Sequence, residues 1–143
     1  MIRDDNYYMN IALQEAKKAY NCDEVPVGAV IVYQDKIIAK SFNRKNLDNI
    51  ATYHAEIIAI EKACKYLNSW YLDECTLYTT VEPCMMCTGA IIQSRIKRVV
   101  YGTNNDAFGY LSKINNQKIE ITSGILKKDC VTILSEFFKK KRN

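Results

Sequence analysis

Residues 75–94 read Cys-Thr-Leu-Tyr-Thr-Thr-Val-Glu-Pro-Cys-Met-Met-Cys-Thr-Gly-Ala-Ile-Ile-Gln-Ser. The segment from Cys75 to Thr80 has the character of a β-strand, and the segment from Cys84 to Ser94 has that of a helix. Pro83 stands at the start of this helix, where its missing N–H costs least. A strand that passes directly into a helix is typical of a layered α/β protein.

The rest of the chain supplies the other elements of such a domain. A first helix is predicted behind Asp4 and Asp5, followed by an apolar hairpin that turns at residues 34–36. The predicted strands are 25–33, 37–42, 75–80, 98–101 and 118–122, and the later helices are 54–67, 84–94 and a final one that directs Val131, Leu134, Phe137 and Phe138 toward the core. Residues 43–52 are predicted to form a loop, and Gly102 to begin another. This order predicts an α/β domain with a mixed sheet of about five strands.

The length and composition agree with one domain over residues 1–143. The chain is 48% apolar and 25% charged, which argues against disorder and against a coiled coil. No signal peptide and no apolar run of about 18 residues is present, so we expect a cytoplasmic protein with no membrane segment. In that reducing compartment, six cysteines are more consistent with core, catalytic or metal-binding roles than with disulfides. Four of them stand alone on apolar stretches and are assigned to the core: Cys22, Cys64, Cys75 and Cys130.

The net charge of +4 lies entirely in the last part of the chain. Residues 1–103 contain 12 basic and 12 acidic side chains, whereas residues 104–143 contain 8 basic and 4 acidic ones. The final helix ends in four consecutive cations, 139–142, directly after Phe137 and Phe138. Such a run is commonly a solvated helix end that suits the helix dipole. Cations beside aromatic rings also suit RNA, because they contact phosphates while unpaired bases contact the rings.

The single histidine and one cysteine pair form the pattern most indicative of chemistry. His54 opens a predicted helix, and Cys84 and Cys87 open another 30 residues later. Taken separately, the histidine is commonly a surface or capping residue, and the cysteines could be a redox pair or core. Together, one imidazole and two thiolates at two helix N-termini suit a tetrahedral zinc ion. Three protein ligands leave the fourth position for water, which is the arrangement of a catalytic site rather than a structural one.

Glu56 follows His54 by two positions and points to another side of the predicted helix. A carboxylate there can face the water without binding the metal, take its proton and return it to a ring nitrogen and a leaving amine. On its own, Glu56 would be interpreted as a first-turn carboxylate favoured by the helix dipole. Its position beside the predicted ligands favours the catalytic interpretation.

These residues form the H-x-E…P-C-x-x-C signature of the zinc nucleobase deaminases. Over nearly its whole length, the chain resembles the bacterial tRNA-specific adenosine deaminases. The matching runs are 24–30 (Glu-Val-Pro-Val-Gly-Ala-Val), 54–57 (His-Ala-Glu-Ile), 77–87, 89–92, 94–96 (Ser-Arg-Ile), 99–102, 120–126 and 136–138 (Glu-Phe-Phe). The Ser-Arg-Ile run and the Phe-Phe-basic ending favour this branch over guanine or cytidine deaminases.

The resemblance implies a three-layer α/β/α sandwich of the cytidine deaminase type, a homodimer and a tRNA anticodon stem-loop as partner. It implies hydrolysis of adenosine to inosine at the wobble position, with one Zn²⁺ per subunit and no organic cofactor. His54, Cys84 and Cys87 match the zinc ligands, and Glu56 matches the proton shuttle. The substrate-binding residues that it implies are Asn43, Val27 and Ala55. Asn105, at a position that is acidic in the family, and Phe138 and Arg142, at the basic end of the chain, are further candidates. Asn43 could otherwise be a turn residue, and Val27 and Ala55 could simply pack.

One loop departs from the family pattern. In Thr103–Gly109 the position that is usually acidic holds Asn105, Asp106 follows it, and the usual Gly/Ala-rich insert is short. RNA contacts from this loop are therefore not carried over from the family. Two alternatives remain: a deaminase of free guanine, cytosine or nucleosides, and a non-catalytic, zinc-stabilised RNA-binding module.

Overall fold

A computed structural model describes residues 2–114 and 118–142 of the chain. Five helices and five strands are found in these ranges, together with a short 3-10 turn at Leu111–Lys113. The helices are α1 (Asp5–Asn21), α2 (Lys45–Asp48), α3 (Ala55–Leu67), α4 (Met85–Ser94) and α5 (Lys127–Arg142). The strands are β1 (Gly28–Tyr33), β2 (Lys36–Phe42), β3 (Cys75–Val81), β4 (Arg98–Thr103) and β5 (Glu120–Ser123). No helix within the described ranges has the length and apolar character needed to span a membrane.

The five strands form one mixed sheet, as predicted, and their order in the sheet is β2-β1-β3-β4-β5. The hairpin of β1 and β2 pairs antiparallel to β3, whereas β3, β4 and β5 run parallel to one another. The hairpin turn is made by Gln34 and Asp35, both at positive φ. This backbone conformation matches the twist of the paired strands.

Helices cover both faces of the sheet because strand side chains alternate between the faces. On one face, Val30 and Val100 pack with Met9 and Ala12 of α1 and with Cys130 of α5. On the other face, a separate cluster joins the sheet to α3 and α4: Ile31, Leu77, Val99, Ala59, Ala63 and Ile91. The result is the predicted three-layer α/β/α arrangement.

Four local predictions differ from the structure. Residues 25–27 precede β1 rather than belong to it, and the predicted loop 43–52 contains α2. Gly102 lies inside β4 instead of starting a loop, because β3 and β4 stay paired as far as Val81 and Thr103. The edge strand β5 is also shorter than predicted and begins at Glu120.

Three side chains predicted to be buried are exposed. Val131 and Phe138 are 39% and 45% exposed, because α5 turns mainly Cys130 and Phe137 toward the core. Cys22 is also exposed, since it follows the last turn of α1 beyond the sheet. Cys75 and Cys130 are buried as predicted, and Cys64 is partly buried.

Candidate metal centre and active site

The starts of α3 and α4 bring the three predicted metal ligands together. His54 is the N-cap residue of α3, Cys84 is the N-cap residue of α4, and Cys87 lies in the first turn of α4. Neither cap side chain bonds to its own helix, so the imidazole and the thiol are directed elsewhere. The Nδ1 atom of His54 lies 3.6 Å from the Sγ atoms of both cysteines.

The spacing of these atoms fits a tetrahedral zinc ion. With Zn–S and Zn–N bonds of ordinary length, tetrahedral geometry places nitrogen and sulfur about 3.6 Å apart. The two observed Nδ1–Sγ distances are 3.6 Å, and all three ligand atoms lie within 4.8 Å of one another. The donor set is also the one that zinc prefers, since it combines imidazole nitrogen with thiolate sulfur.

The protonation of the three ligands is coupled through their contacts. Hydrogen bonds from Cys87 and His54 lower the pKa of Cys84 to about 4, although burial opposes this shift. The contact with Cys84, followed by burial, raises the pKa of Cys87, and the hydrogen bond to Cys84 raises the pKa of His54. Each of these shifts arises in part from contacts within the cluster itself. Metal binding must release protons from it.

Glu56 lies beside this cluster in the first turn of α3. Its side chain is buried, and this burial raises its pKa to about 7 despite the nearby His54. The Cys87 thiol also donates a hydrogen bond to the carboxylate. A carboxyl group with this pKa can both accept and donate a proton near neutral pH.

A cavity of about 530 Å³ opens over the cluster. Its lining includes six of the predicted site residues: Val27, Asn43, His54, Glu56, Cys84 and Asn105. Cys87 and Ala55 are fully buried behind this wall. Seven further lining residues were not predicted: Glu24, Val25, Lys45, Asn46, Val81, Glu82 and Phe108.

Asn43 connects the cavity wall to the metal-bearing helix. Its Oδ1 atom accepts a hydrogen bond of 2.8 Å from the N–H of Ala55, the first residue of α3. Its Nδ2 atom donates to the Val25 carbonyl at 3.1 Å. Asn43 is therefore held in place from two sides, with its amide at the cavity surface. Ala55 contributes through its backbone.

Glu24 organises the neighbouring wall from a buried position. Its carboxylate accepts hydrogen bonds from the backbone N–H groups of Asn46 at 3.2 Å and Leu47 at 2.6 Å. These are free N–H groups in the first turn of α2, so Glu24 caps that helix from a distance. The contact fixes Lys45 and Asn46 at the cavity. The only sign of this capping role in the sequence is that Glu24 is an acidic residue directly before the apolar run 25–32.

Glu82 holds the opposite wall, which is the loop that departs from the family pattern. Its Oε1 atom accepts from Asn104 Nδ2 and from the Asn105 N–H, both at 3.2 Å, and its Oε2 atom accepts from the Ser112 N–H at 2.8 Å. Burial opposes ionisation of Glu82, but the hydrogen bonds from Ser112, Asn105 and Asn104 hold its pKa below the usual value. Through these bonds Glu82, directly before Pro83, holds the loop in place.

The basic end of α5 lies near the same cavity. Lys141 pairs with Asp23, and the two following residues, Glu24 and Val25, line the cavity. Lys140 lies over the ring of Tyr20, near the end of α1. Phe138 is 45% exposed and Arg142 is exposed, and neither lines the cavity.

Comparison with known proteins identifies the class of this site. The chain matches the model of the MafB19-like deaminase family over residues 3–142. This match, with the three-layer fold and the His-Cys-Cys cluster, assigns the protein to the deaminases.

Individual relatives narrow this class. The chain is 44% identical to the tRNA-specific adenosine deaminase of Buchnera aphidicola subsp. Schizaphis graminum, over 96% of each protein. A solved structure from work on A-to-I editing by tRNA:A34 deaminases at the wobble position is 37% identical, with a TM-score of 0.86 over 90% of this chain and 99% of that one. The guanine deaminase of Bacillus subtilis is 41% identical, with a TM-score of 0.68 over 71% of this chain and 66% of that one. The chain belongs to the family of bacterial tRNA-specific adenosine deaminases.

Proposed function

We propose that the protein hydrolyses adenosine to inosine at the wobble position of a tRNA anticodon loop. The observation that carries this proposal is the His54-Cys84-Cys87 cluster beside buried Glu56, at the base of a cavity of about 530 Å³. The three ligands would hold one zinc ion per chain. When bound, zinc supplies the nucleophile of such a reaction by lowering the pKa of a coordinated water.

In this proposal the residues of the chain bind the base and move protons. Water adds to C6 of the adenine ring and ammonia leaves, which gives the hypoxanthine of inosine. The carboxylate of Glu56 accepts one proton from water and passes it to a ring nitrogen. It then accepts the second proton from the added hydroxyl group and passes it to the leaving amine, so that ammonia and a carbonyl form. Asn43 and Val27 hold the base in the cavity, and the burial of Glu56 and Cys87 keeps bulk water from the proton path.

The structure of an anticodon loop and the basic end of α5 support a tRNA substrate. An anticodon loop presents unpaired bases, so extruding one of them costs less than opening a duplex. Among the cations of residues 139–142, Lys141 pairs with Asp23, directly before the cavity-lining residues Glu24 and Val25, and Phe138 on the same helix is exposed. Such cations and rings suit the phosphates and bases of an RNA loop. We further propose a single-domain cytoplasmic enzyme that acts as a homodimer, as the family resemblance implies.

A second candidate is deamination of a free base, which the 41% identity to a guanine deaminase favours. The deciding measurement compares inosine formation in an anticodon stem-loop with ammonia release from free guanine, cytosine, cytidine and adenosine. Turnover of the free compounds alone would exclude the tRNA proposal. Zinc should be quantified in the same sample.

Variants of the site test the proposed roles. Replacing Glu56 with Gln should reduce kcat by about 10²- to 10⁴-fold, because that is the usual contribution of acid–base catalysis. Zinc should remain at one ion per chain. The matched control is Glu61→Gln, an exposed glutamate of the same helix.

The variants His54→Ala and Cys87→Ala should instead lose zinc. Full occupancy in either would contradict the ligand set, and unchanged turnover by Glu56→Gln would contradict the proton shuttle. A wild-type protein that holds zinc and binds the stem-loop but forms no inosine would instead be a non-catalytic, zinc-stabilised binding module.

A further inference from the structure

Phe108 presents an exposed aromatic ring at the rim of the cavity. Its side chain is 76% exposed, and among the described large apolar residues only Ile2 is more exposed. The ring nevertheless lines the cavity that also contains His54 and Glu56. A phenyl group in this position gains free energy only when another molecule covers it.

The backbone on both sides of Phe108 is held firmly. The N–H of Phe108 donates to Asn105 Oδ1 at 3.0 Å, and the N–H of Gly109 donates to the Asn105 carbonyl at 2.8 Å. The N–H of Asn105 in turn donates to Glu82. This turn therefore fixes where the ring leaves the loop.

The next residue attaches the turn to the metal centre itself. Gly109 forms an isolated β-bridge with Cys84, one of the proposed ligands. A Cβ atom at Gly109 would overlap the Asn105 carbonyl and Glu82 Oε1, so only glycine allows this approach. Phe108 is consequently held at a set position relative to the reaction centre.

The cavity lining also offers a lysine and a polar side chain beyond the aromatic ring. It contains Lys45 and Asn46 of α2, which Glu24 holds in place. A nucleotide that neighbours the reacting one carries both a flat base and a phosphate. Its base can stack on an aromatic ring, and its phosphate can approach a lysine.

We propose that Phe108 is the stacking surface for the base of one nucleotide adjacent to the reacting adenosine. This inference rests on the proposed function and adds a specificity-determining residue that lies in the loop where the chain departs from its family. Stacking of a base on an aromatic side chain contributes about 1–3 kcal/mol. Loss of the ring should therefore weaken RNA binding about 5- to 150-fold.

The test combines four proteins, all carrying Glu56→Ala, with three RNAs. The RNAs are an anticodon stem-loop and the same stem-loop made abasic at the 5′ or at the 3′ neighbour of the wobble adenosine. Dissociation constants are measured by fluorescence anisotropy for Glu56→Ala and for Glu56→Ala with Phe108→Ala, so that the RNA is not consumed. Phe108→Trp should restore affinity, because it preserves the aromatic face. The control is Trp70→Ala, which removes a ring that is 64% exposed and lies before β3, at the opposite end of that strand from the cavity.

We expect Phe108→Ala to weaken binding of the intact stem-loop and to have no effect on one of the two abasic RNAs. An equal effect on all three RNAs, or no effect on any of them, would overturn the proposal. Because binding is measured without turnover, this result is separate from the proposed activity. The activity itself fails if the wild-type protein forms no inosine in the intact stem-loop.

Discussion

Replacing Glu82 with Gln tests whether one carboxylate holds the loop at the edge of the cavity. Glutamine has the same shape, but its single oxygen can replace only one carboxylate oxygen. If it keeps the two donors at Oε1, its NH₂ group faces the Ser112 N–H, which loses its acceptor. Loss of a charge-assisted bond costs about 1.5–3 kcal/mol, and weakening of the other two adds roughly 1 kcal/mol.

The expected loss of stability is thus about 3 kcal/mol at pH 7. For a domain of this size, 1 kcal/mol corresponds to about 4 °C in Tm, so the variant should melt about 12 °C below the wild type. Circular dichroism during heating measures this difference. The pKa of Glu82 is lowered in the folded protein, so its contribution is present above the ordinary glutamate pKa and is lost as pH falls through the folded value. The difference between variant and wild type should therefore shrink in acid.

The matched control is Glu120→Gln. The Glu120 side chain is 68% exposed and pairs with Arg98, and exposed ion pairs contribute little. Its Tm should stay within about 2 °C of the wild type, since such a pair is worth at most about 0.5 kcal/mol. If the Glu82→Gln protein has the same Tm as the wild type, the anchoring role of Glu82 is refuted. A difference in Tm that does not change with pH would refute it as well.

Three other changes have definite expected outcomes. Gly102→Ala should lower the free energy of unfolding, measured by urea titration, by about 2–3 kcal/mol, because the new Cβ would overlap Cys130 Sγ and lie 2.8 Å from the Thr80 carbonyl. Gly89→Ala, whose new Cβ would have nothing within 4 Å, should raise the free energy of unfolding by about 0.8 kcal/mol. Equal effects of the two substitutions would contradict this contrast. Asp5→Asn should cost about 2 kcal/mol at pH 7 because it breaks a two-point pair with Arg98. Since Arg98 lowers the Asp5 pKa, the difference should vanish in strong acid, and a constant difference would argue against the pair. Replacing Lys139, Lys140 and Arg142 with Gln should weaken RNA binding and reduce the slope of log K against log salt by about 2, whereas an unchanged slope would identify a solvated helix end.

The sequence predicted that His54, Cys84 and Cys87 lie together because its signals are local. His54 and Cys84 each precede a helix, and a residue at a helix N-terminus points away from the helix that follows. The spacing of Cys84 and Cys87 within one turn is equally local. The N-termini of α3 and α4 meet at one point because of the order of the strands and helices. Hydrophobic patterns in the sequence indicate that order.

Part of the cavity wall was missed because its causes are distant in sequence. The short helix α2 begins where Glu24 caps it, and Glu24 lies 22 residues before Asn46. Gly102 continues a strand because of its pairing with β3, although a glycine alone indicates a loop. The prediction that Phe138 is buried was wrong because the buried face of α5 is narrower than its apolar residues suggest.

The distance between His54 and Cys84 along the chain also affects how the protein would acquire its metal. The two residues lie at the ends of different segments, and only the completed pairing of β1 with β3 brings those segments together. An unfolded chain offers just the adjacent cysteine pair, so a zinc ion that requires all three ligands cannot nucleate folding. Zinc held by all three side chains, as proposed, would bind after the sheet has formed and would then stabilise the native state in proportion to the logarithm of its free concentration. The lifetime of the protein in a cell would consequently follow zinc supply, while its folding rate would not.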